Sequence, residues 1–253
     1  MLKIDHLVCS AGSKRIVDDV SVVFHPNLLH VIVGPNGSGK STFLKAFSGD
    51  WRPESGTVSY DGGGAGLARR RAVMSQSPEL HFPLSVDEIV LMGRYPHFSY
   101  RPGRKDLEVC KAAMEKLSVT ELSGRDYLTL SGGERQRVQF ARALAQIWDA
   151  PEEGSRYLFL DEPVSSLDIH YQHQFLQTAR SLLNENIVII AVLHDLNLSL
   201  QYADRMLFMK GGRIVAAGDV PDIVKPELIE AVFGIRSYLL DNPAGSRPVV
   251  AFG

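Results

Sequence analysis

The 253-residue chain is short of cysteine, of basic charge and of long apolar runs, and each shortage removes a class of protein. Its two cysteines, Cys9 and Cys110, lie far apart and form no paired ligand spacing. That excludes a disulfide framework and a cysteine-based metal site, and it fits a reducing compartment. Lys plus Arg number 27 against 29 Asp plus Glu, a formal charge of −2. The electrostatic footprint of a nucleic-acid binder is therefore missing, and no nucleic acid partner is expected. The triplet Arg69-Arg70-Arg71 is too short to change this and reads as a solvated face. The longest wholly apolar run, residues 187–193, falls far short of the ~18 residues of a membrane span. The N-terminus lacks the continuous apolar segment of a signal peptide, so a soluble chain kept in the compartment of its synthesis is expected. No internal repeat or low-complexity tract is present.

What is present alternates between strand and helix. Residues 2–9 and 20–33 carry β patterns, 34–39 break them, and 40–48 resume with Phe43, Leu44 and Phe47 at helical spacing. Residues 57–60 and 72–75 read as short strands. From 85 to 148 the texture is helical: Ser85 and Glu88 have capping-box spacing, and 106–117 and 133–148 are amphipathic. Residues 157–160 and 187–193 are short apolar runs of the kind found in parallel strands buried on both faces. Helices at 169–183 and 195–203 separate them, and Gly211-Gly212 marks a hairpin. This order implies an α/β fold with a parallel sheet. It divides into a core lobe, about 1–84 and 149–253, and a helical subdomain, about 85–148.

Gly34, Pro35, Asn36, Gly37, Ser38, Gly39, Lys40 and Ser41 match G-x-x-x-x-G-K-[ST] without a mismatch, after a strand pattern and before a helix. Glycines allow positive φ and close backbone approach, so successive N–H groups can line an anion nest. Lys40 is placed to reach the β- and γ-phosphates of a nucleoside triphosphate, and Ser41 to ligate Mg²⁺. Thr42, at the helix N-terminus, can donate to an inner phosphate. A glycine-rich turn that merely contains Lys-Ser would not need this strand-and-helix context.

The apolar run 157–160 leads straight into Asp161 and Glu162. Ligands of open parallel sheets sit at the carboxyl ends of strands, so both acids are expected in the nucleotide crevice. Asp161 would hold Mg²⁺ and Glu162 would polarise the attacking water. Two adjacent carboxylates repel, and a cation stabilises the charged pair. The competing reading makes Asp161 a helix cap and Glu162 a solvated residue.

Leu130, Ser131, Gly132, Gly133 and Glu134 open the helix that carries Arg135-Gln136-Arg137-Val138. Glycine costs a helix roughly 1 kcal/mol against alanine; here the pair offers a second cluster of N–H groups, with Ser131 as cap. With two such anion-binding helix starts, the sequence resembles the ATP-binding subunits of ABC transporters over nearly its whole length. The resemblance implies a P-loop NTPase fold: a RecA-like parallel sheet with an antiparallel β arm, plus a helical subdomain. It makes residues 130–134 the family signature, which faces the phosphate loop of a second subunit in an ATP-sandwich homodimer. Ser131, Gly132, Gly133 and Asp168, the last in the D-loop 165–168, would act across that interface. It also implies Gln76 as the Q-loop glutamine, contacting Mg²⁺ or the attacking water, and His194 as the switch histidine, bonding the γ-phosphate and Glu162. The implied catalytic set is Glu162, His194 and Gln76; the implied metal set is Ser41, Gln76 and Asp161. A simple kinase would leave 130–134 and His194 unexplained.

Met92-Gly93-Arg94-Tyr95-Pro96-His97 is similar to the helical subdomain of iron-chelate and vitamin B12 importers. The stretch 143–156, together with Asp195-Leu196-Asn197-Leu198, is most similar to haem importers. The resemblance implies an ATPase that energises haem (hemin) import, with another iron-siderophore or cobalamin as the alternative cargo. A non-transport ABC ATPase is the lesser alternative. Implied partners are transmembrane permease subunits and, indirectly, a periplasmic haem-binding protein; the implied place is the cytoplasmic face of the bacterial inner membrane. Residues 83–97 are expected to help form the groove for a permease helix, and His97 is not expected to ligate haem. The chain departs from the pattern at Val164, usually Thr, in a shortened 61–68 segment, and at Ala11-Gly12, where relatives carry an aromatic ring stacked on adenine. No Phe, Tyr or Trp precedes Phe24, and His6 is the nearest ring in sequence. Modest nucleotide affinity and poor discrimination between ATP and GTP are expected.

Overall fold

The structure, a computed structural model, describes residues 1–75, 83–243, 245 and 247–253. Strands β1 (Leu2–Ala11) and β2 (Lys14–Phe24) form an antiparallel hairpin. It is longer than the hydropathy pattern predicts, because its tip, residues 11–15, is polar or small and exposed on all sides. The chain then runs through β3 (Leu28–Val33), α1 (Lys40–Ser48) and β4 (Ser55–Tyr60), which returns to pair with β1. The result is a three-stranded antiparallel arm in the order β2-β1-β4.

Helix α2 (Leu67–Arg70) and strand β5 (Arg71–Met74) follow. Beyond them come α3 (Val86–Met92), α4 (Arg104–Lys116) and α5 (Gly132–Gln146), with no strand among the described residues between β5 and β6. The chain re-enters the sheet with β6 (Arg156–Asp161), α6 (Ile169–Ser181), β7 (Ile187–Val192), α7 (Leu196–Tyr202), β8 (Arg205–Lys210) and β9 (Arg213–Asp219). Helices α8 (Val220–Ile223) and α9 (Pro226–Phe233) lead to a terminal hairpin of β10 (Ser237–Leu240) and β11 (Val249–Phe252).

The main sheet runs β5-β6-β7-β3-β8-β9, parallel throughout except for β9. Every residue of β6 and β7 is buried, as their uninterrupted apolar runs require. Between arm and sheet, Phe47 packs edge-on against Phe43 and Phe159, with centroids 5.0 and 5.1 Å apart. Such pairs contribute about 0.5–1.5 kcal/mol each beyond area burial. This aromatic cluster seats α1, and with it the loop that precedes α1, over the carboxyl ends of β3 and β6.

Helix α3 begins with the Ser85–Glu88 capping box and crosses α5 so closely that a Cβ on Gly93 would lie 2.1 Å from the Arg142 carbonyl oxygen. Gly93 therefore serves helix packing. Arg94, buried, reaches across the same junction to Asp106 at 3.0 Å, the Ala145 carbonyl at 2.8 Å and Asp149 at 2.8 Å. The arginine triplet corrects the sequence reading. Arg70 is buried, donates to the carbonyls of Asp61, Gly63 and Ser155, and lies over the Tyr157 ring. Its five donors match the carbonyl-rich turn after β4, which no run-of-charge argument detects.

Candidate active site

The carboxyl end of β3 opens into the loop 34–39, and α1 starts at Lys40. Gly39, the residue before α1, sits at φ 98°, and a Cβ there would lie 2.5 Å from the Ile16 carbonyl oxygen. Only glycine meets both demands. Lys40 folds back over the loop, its Nζ donating to the carbonyls of Gly34 at 2.8 Å and Pro35 at 3.1 Å. Burial holds its pKa below the ordinary lysine value, with the charges of Glu162 and Asp161 opposing that shift.

Two strands away in the sheet, beyond β7, β6 ends on Asp161 and the chain turns at Glu162 with φ 50°. A non-glycine residue in that region is strained, and the turn directs the two acids to different partners. Asp161, buried, accepts from the Ser41 hydroxyl at 2.9 Å. Burial raises its pKa above the usual carboxylate value; the Ser41 hydrogen bond counteracts this and the Glu162 charge adds to it. Asp161 is thus no helix cap. Glu162 is anchored by its N–H to the Val192 carbonyl at 3.2 Å, and its Oε1 lies 2.6 Å from His194 Nε2. A cavity of about 190 Å³ gathers Ile16, Asn36, Gly37, Gly39, Lys40, Ser41, Thr42, Glu162 and His194.

Hard oxygen donors beside a carboxylate that burial leaves under-stabilised suit a magnesium ion, so Ser41 Oγ and Asp161 fit the metal the fold family implies. Ser38 Oγ is buried and has no hydrogen-bond partner among the described residues. Gln76 lies outside the described residues. Ser131, Gly132, Gly133 and Asp168 do not line this cavity. Ser131 and Glu134 cap α5 reciprocally, Ser131 N–H donating to Glu134 at 2.8 Å and Glu134 N–H to Ser131 Oγ at 3.3 Å. A Cβ on Gly132 would meet nothing within 4 Å, and one on Gly133 would touch Leu167 Cδ2 at 3.3 Å. Asp168 caps α6 through the Tyr171 N–H at 3.1 Å and is followed by Ile169, 74% exposed.

Two further outcomes concern the base. His6 pairs with Asp19 at 2.7 Å on the exposed arm and does not line the cavity. Ile16 does, and sequence reading missed it, although it is the first large apolar residue after the polar hairpin tip. A larger cavity, about 690 Å³, lies between α2, the start of α4 and residues 149–153. There Lys105 pairs with Asp149 at 2.6 Å, and Arg69 and His97 bond main-chain carbonyls at 2.8 Å. The Asp149 carboxylate thus takes up Lys105, Arg94 at 2.8 Å and His97 Nδ1 at 3.7 Å. His97, bonded to the Gln146 carbonyl, has a structural partner.

The family model described as ABC transporter matches residues 17–165. The chain belongs to the ABC transporter family. It is 43% identical to the hemin import ATP-binding protein HmuV of Gloeobacter violaceus over 99% of this chain and 93% of that one. To the protein of the same name from Escherichia coli O157:H7 it is 38% identical over 99% and 98%. Among solved structures it superposes on a chain of a metal-chelate type ABC transporter in an inward-facing conformation, with a TM-score of 0.85 and 25% identity over 100% of this chain and 96% of that one. Among the described residues no helix is long and apolar enough to cross a membrane. An ABC cassette binds ATP.

Proposed function

We propose that this chain is the ATP-hydrolysing subunit of a transporter that imports haem, working as a homodimer on transmembrane permease subunits. The observation that carries the catalytic part is the 2.6 Å contact between Glu162 and His194, next to the Ser41–Asp161 pair. The cargo rests on full-length similarity to hemin import ATP-binding proteins.

In this reading the Lys40 ammonium exchanges its bonds to Gly34 and Pro35 for oxygens of the β- and γ-phosphates, while N–H groups of residues 37–42 cradle the rest. Ser41 and Asp161 would hold Mg²⁺, with Gln76 as a further ligand. When bound, the ion neutralises charge that develops on the phosphates. Glu162 orients the attacking water and accepts its proton; His194 keeps that carboxylate aimed and bonds the γ-phosphate. The rate then comes from positioning and charge stabilisation, with no covalent intermediate. Ser131, Gly132, Gly133 and Asp168 complete the site from the second subunit. The helical stretch, about 85–148, docks the permease, and the exposed aromatics Tyr95 and Tyr100 supply apolar anchors on its surface. The complex stands at the cytoplasmic face of the bacterial inner membrane, fed by a periplasmic haem-binding protein.

The test is twofold. Glu162→Gln should bind ATP as the parent does, hydrolyse it at least about a hundredfold more slowly, and accumulate as an ATP-bound dimer. Near-parental turnover removes Glu162 from its role. Co-produced with its permease in vesicles, the parent should drive ATP-dependent uptake of haem; uptake of a ferric siderophore or cobalamin instead would reassign the cargo.

A further inference from the structure

His194 stands in a short connection, between Val192 at the end of β7 and Leu196 at the start of α7. Its Nε2 meets Glu162, and its ring is substantially exposed. Catalytic histidines are normally oriented by a hydrogen bond on the second ring nitrogen. Among the described residues no group hydrogen-bonds Nδ1 of His194. The main chain on either side of the ring is fastened. Upstream, the Leu193 N–H donates to the Ile32 carbonyl of β3 at 3.2 Å. Downstream, Asp195 caps α7 by accepting from the Leu198 N–H at 2.9 Å.

The next fastening comes from the far end of the chain. The Asn197 carboxamide accepts from the Val250 N–H at 2.7 Å and donates to the Val250 carbonyl at 3.2 Å. It acts as an extra peptide unit laid along β11. Arg247 secures the other end of α7, donating to the carbonyls of Leu200 and Ala203. The hairpin also brings Phe252, with Phe233 and Ile235, to form an apolar cavity of about 490 Å³ whose other wall is His194, Leu196 and Asn197. We infer that Asn197, by clasping strand β11, is a positioning residue that sets His194 against Glu162, so that the C-terminal hairpin takes part in the geometry of hydrolysis. This rests on the proposed role of His194.

The experiment is steady-state ATP hydrolysis by the full chain with Mg²⁺-ATP, in four proteins: the parent, Asn197→Ala, His194→Ala and the double variant. Misplacing a catalytic group by about an ångström can cost as much as a hundredfold in rate. Asn197→Ala should therefore lower kcat by roughly ten- to a hundredfold, with KM for ATP within about twofold of the parent. In the His194→Ala background the same substitution should change kcat by less than about twofold, since a positioning residue has nothing left to position. A residue that merely stabilises the fold would add its full effect in both backgrounds. Should Asn197→Ala not accumulate as folded protein, Asn197→Asp keeps an acceptor for the Val250 N–H and sets a carboxylate oxygen against the Val250 carbonyl in place of the donor. It should then show an intermediate kcat, and the same cycle with His194→Ala applies. An unchanged kcat in Asn197→Ala, or equal losses in both backgrounds, overturns the inference. A parental kcat in His194→Ala overturns the underlying reading of the site instead.

Discussion

At the scale of single residues, the departure at Ala11 has a structural counterpart. Ala11 ends β1 at an exposed hairpin tip, His6 is tied to Asp19, and among the described residues no Phe, Tyr or Trp lines the cavity at the phosphate loop. The apolar group on that wall is Ile16, a branched aliphatic side chain without a π face. An aromatic pair is worth about 0.5–1.5 kcal/mol beyond area burial, up to about tenfold in affinity. Affinity must then come chiefly from the phosphates, which ATP and GTP share. Competition binding should find the two nucleotides within about tenfold of each other, and Ala11→Tyr should tighten both while leaving kcat unchanged. A strong preference for ATP in the parent, unaltered in Ile16→Ala, would show that another surface reads the base.

Among the elements, β3 carries a titration built into the sheet. His30 is buried, stacks edge-on against Phe24 at 5.1 Å and bonds the His25 carbonyl at 2.9 Å. Burial drives its pKa down to about 4; Arg205 and His25 add to the fall, while the His25 hydrogen bond and Asp204 oppose it. The folded value lies below the unfolded value, near 6.5, so His30 contributes stability that is complete above about pH 6.5 and is lost as pH falls towards 4. The total is on the order of 3 kcal/mol. Urea midpoints of the parent should therefore drop between pH 7 and 5 more steeply than those of His30→Gln; parallel curves would refute this. The elements themselves differ in how legible they are. Strands β6 and β7 stand out in sequence because full burial demands unbroken apolar runs, α3 because its capping box is local, and α5 because its apolar residues recur at helical spacing. The phosphate loop and both acids are legible for the same reason: their chemistry is contiguous. The hairpin tip is not, because its residues are polar or small and exposed on all sides, and neither are the burial of Arg70 and the clasp of Asn197 on Val250, which depend on partners far along the chain.

For the whole molecule, Gly132 shows where one protomer stops explaining itself. At the first position of α5 a glycine weakens the helix by up to about 1 kcal/mol against alanine. Among the described residues no contact asks for it: a Cβ there would meet nothing within 4 Å, and its φ is not in the left-handed region. Ser131 and Glu134 satisfy each other's N–H groups, which leaves those of Gly132 and Gly133 at the helix start to a ligand from outside the helix. Local rules broken without internal compensation mark functional surfaces, and an ATP sandwich would bring a partner's phosphates against this turn. Two opposite effects follow for Gly132→Ala. The nucleotide-free protein should become more stable, its Tm rising by up to roughly 2–4 °C for a chain of this size. ATP-driven dimerisation, followed by light scattering in the Glu162→Gln background where hydrolysis does not dissolve the dimer, should weaken. The two readouts separate the protomer's preference from the assembly's. A more stable variant that still dimerises with parental ATP dependence would mean that the partner's nucleotide does not approach α5 closely enough to require glycine.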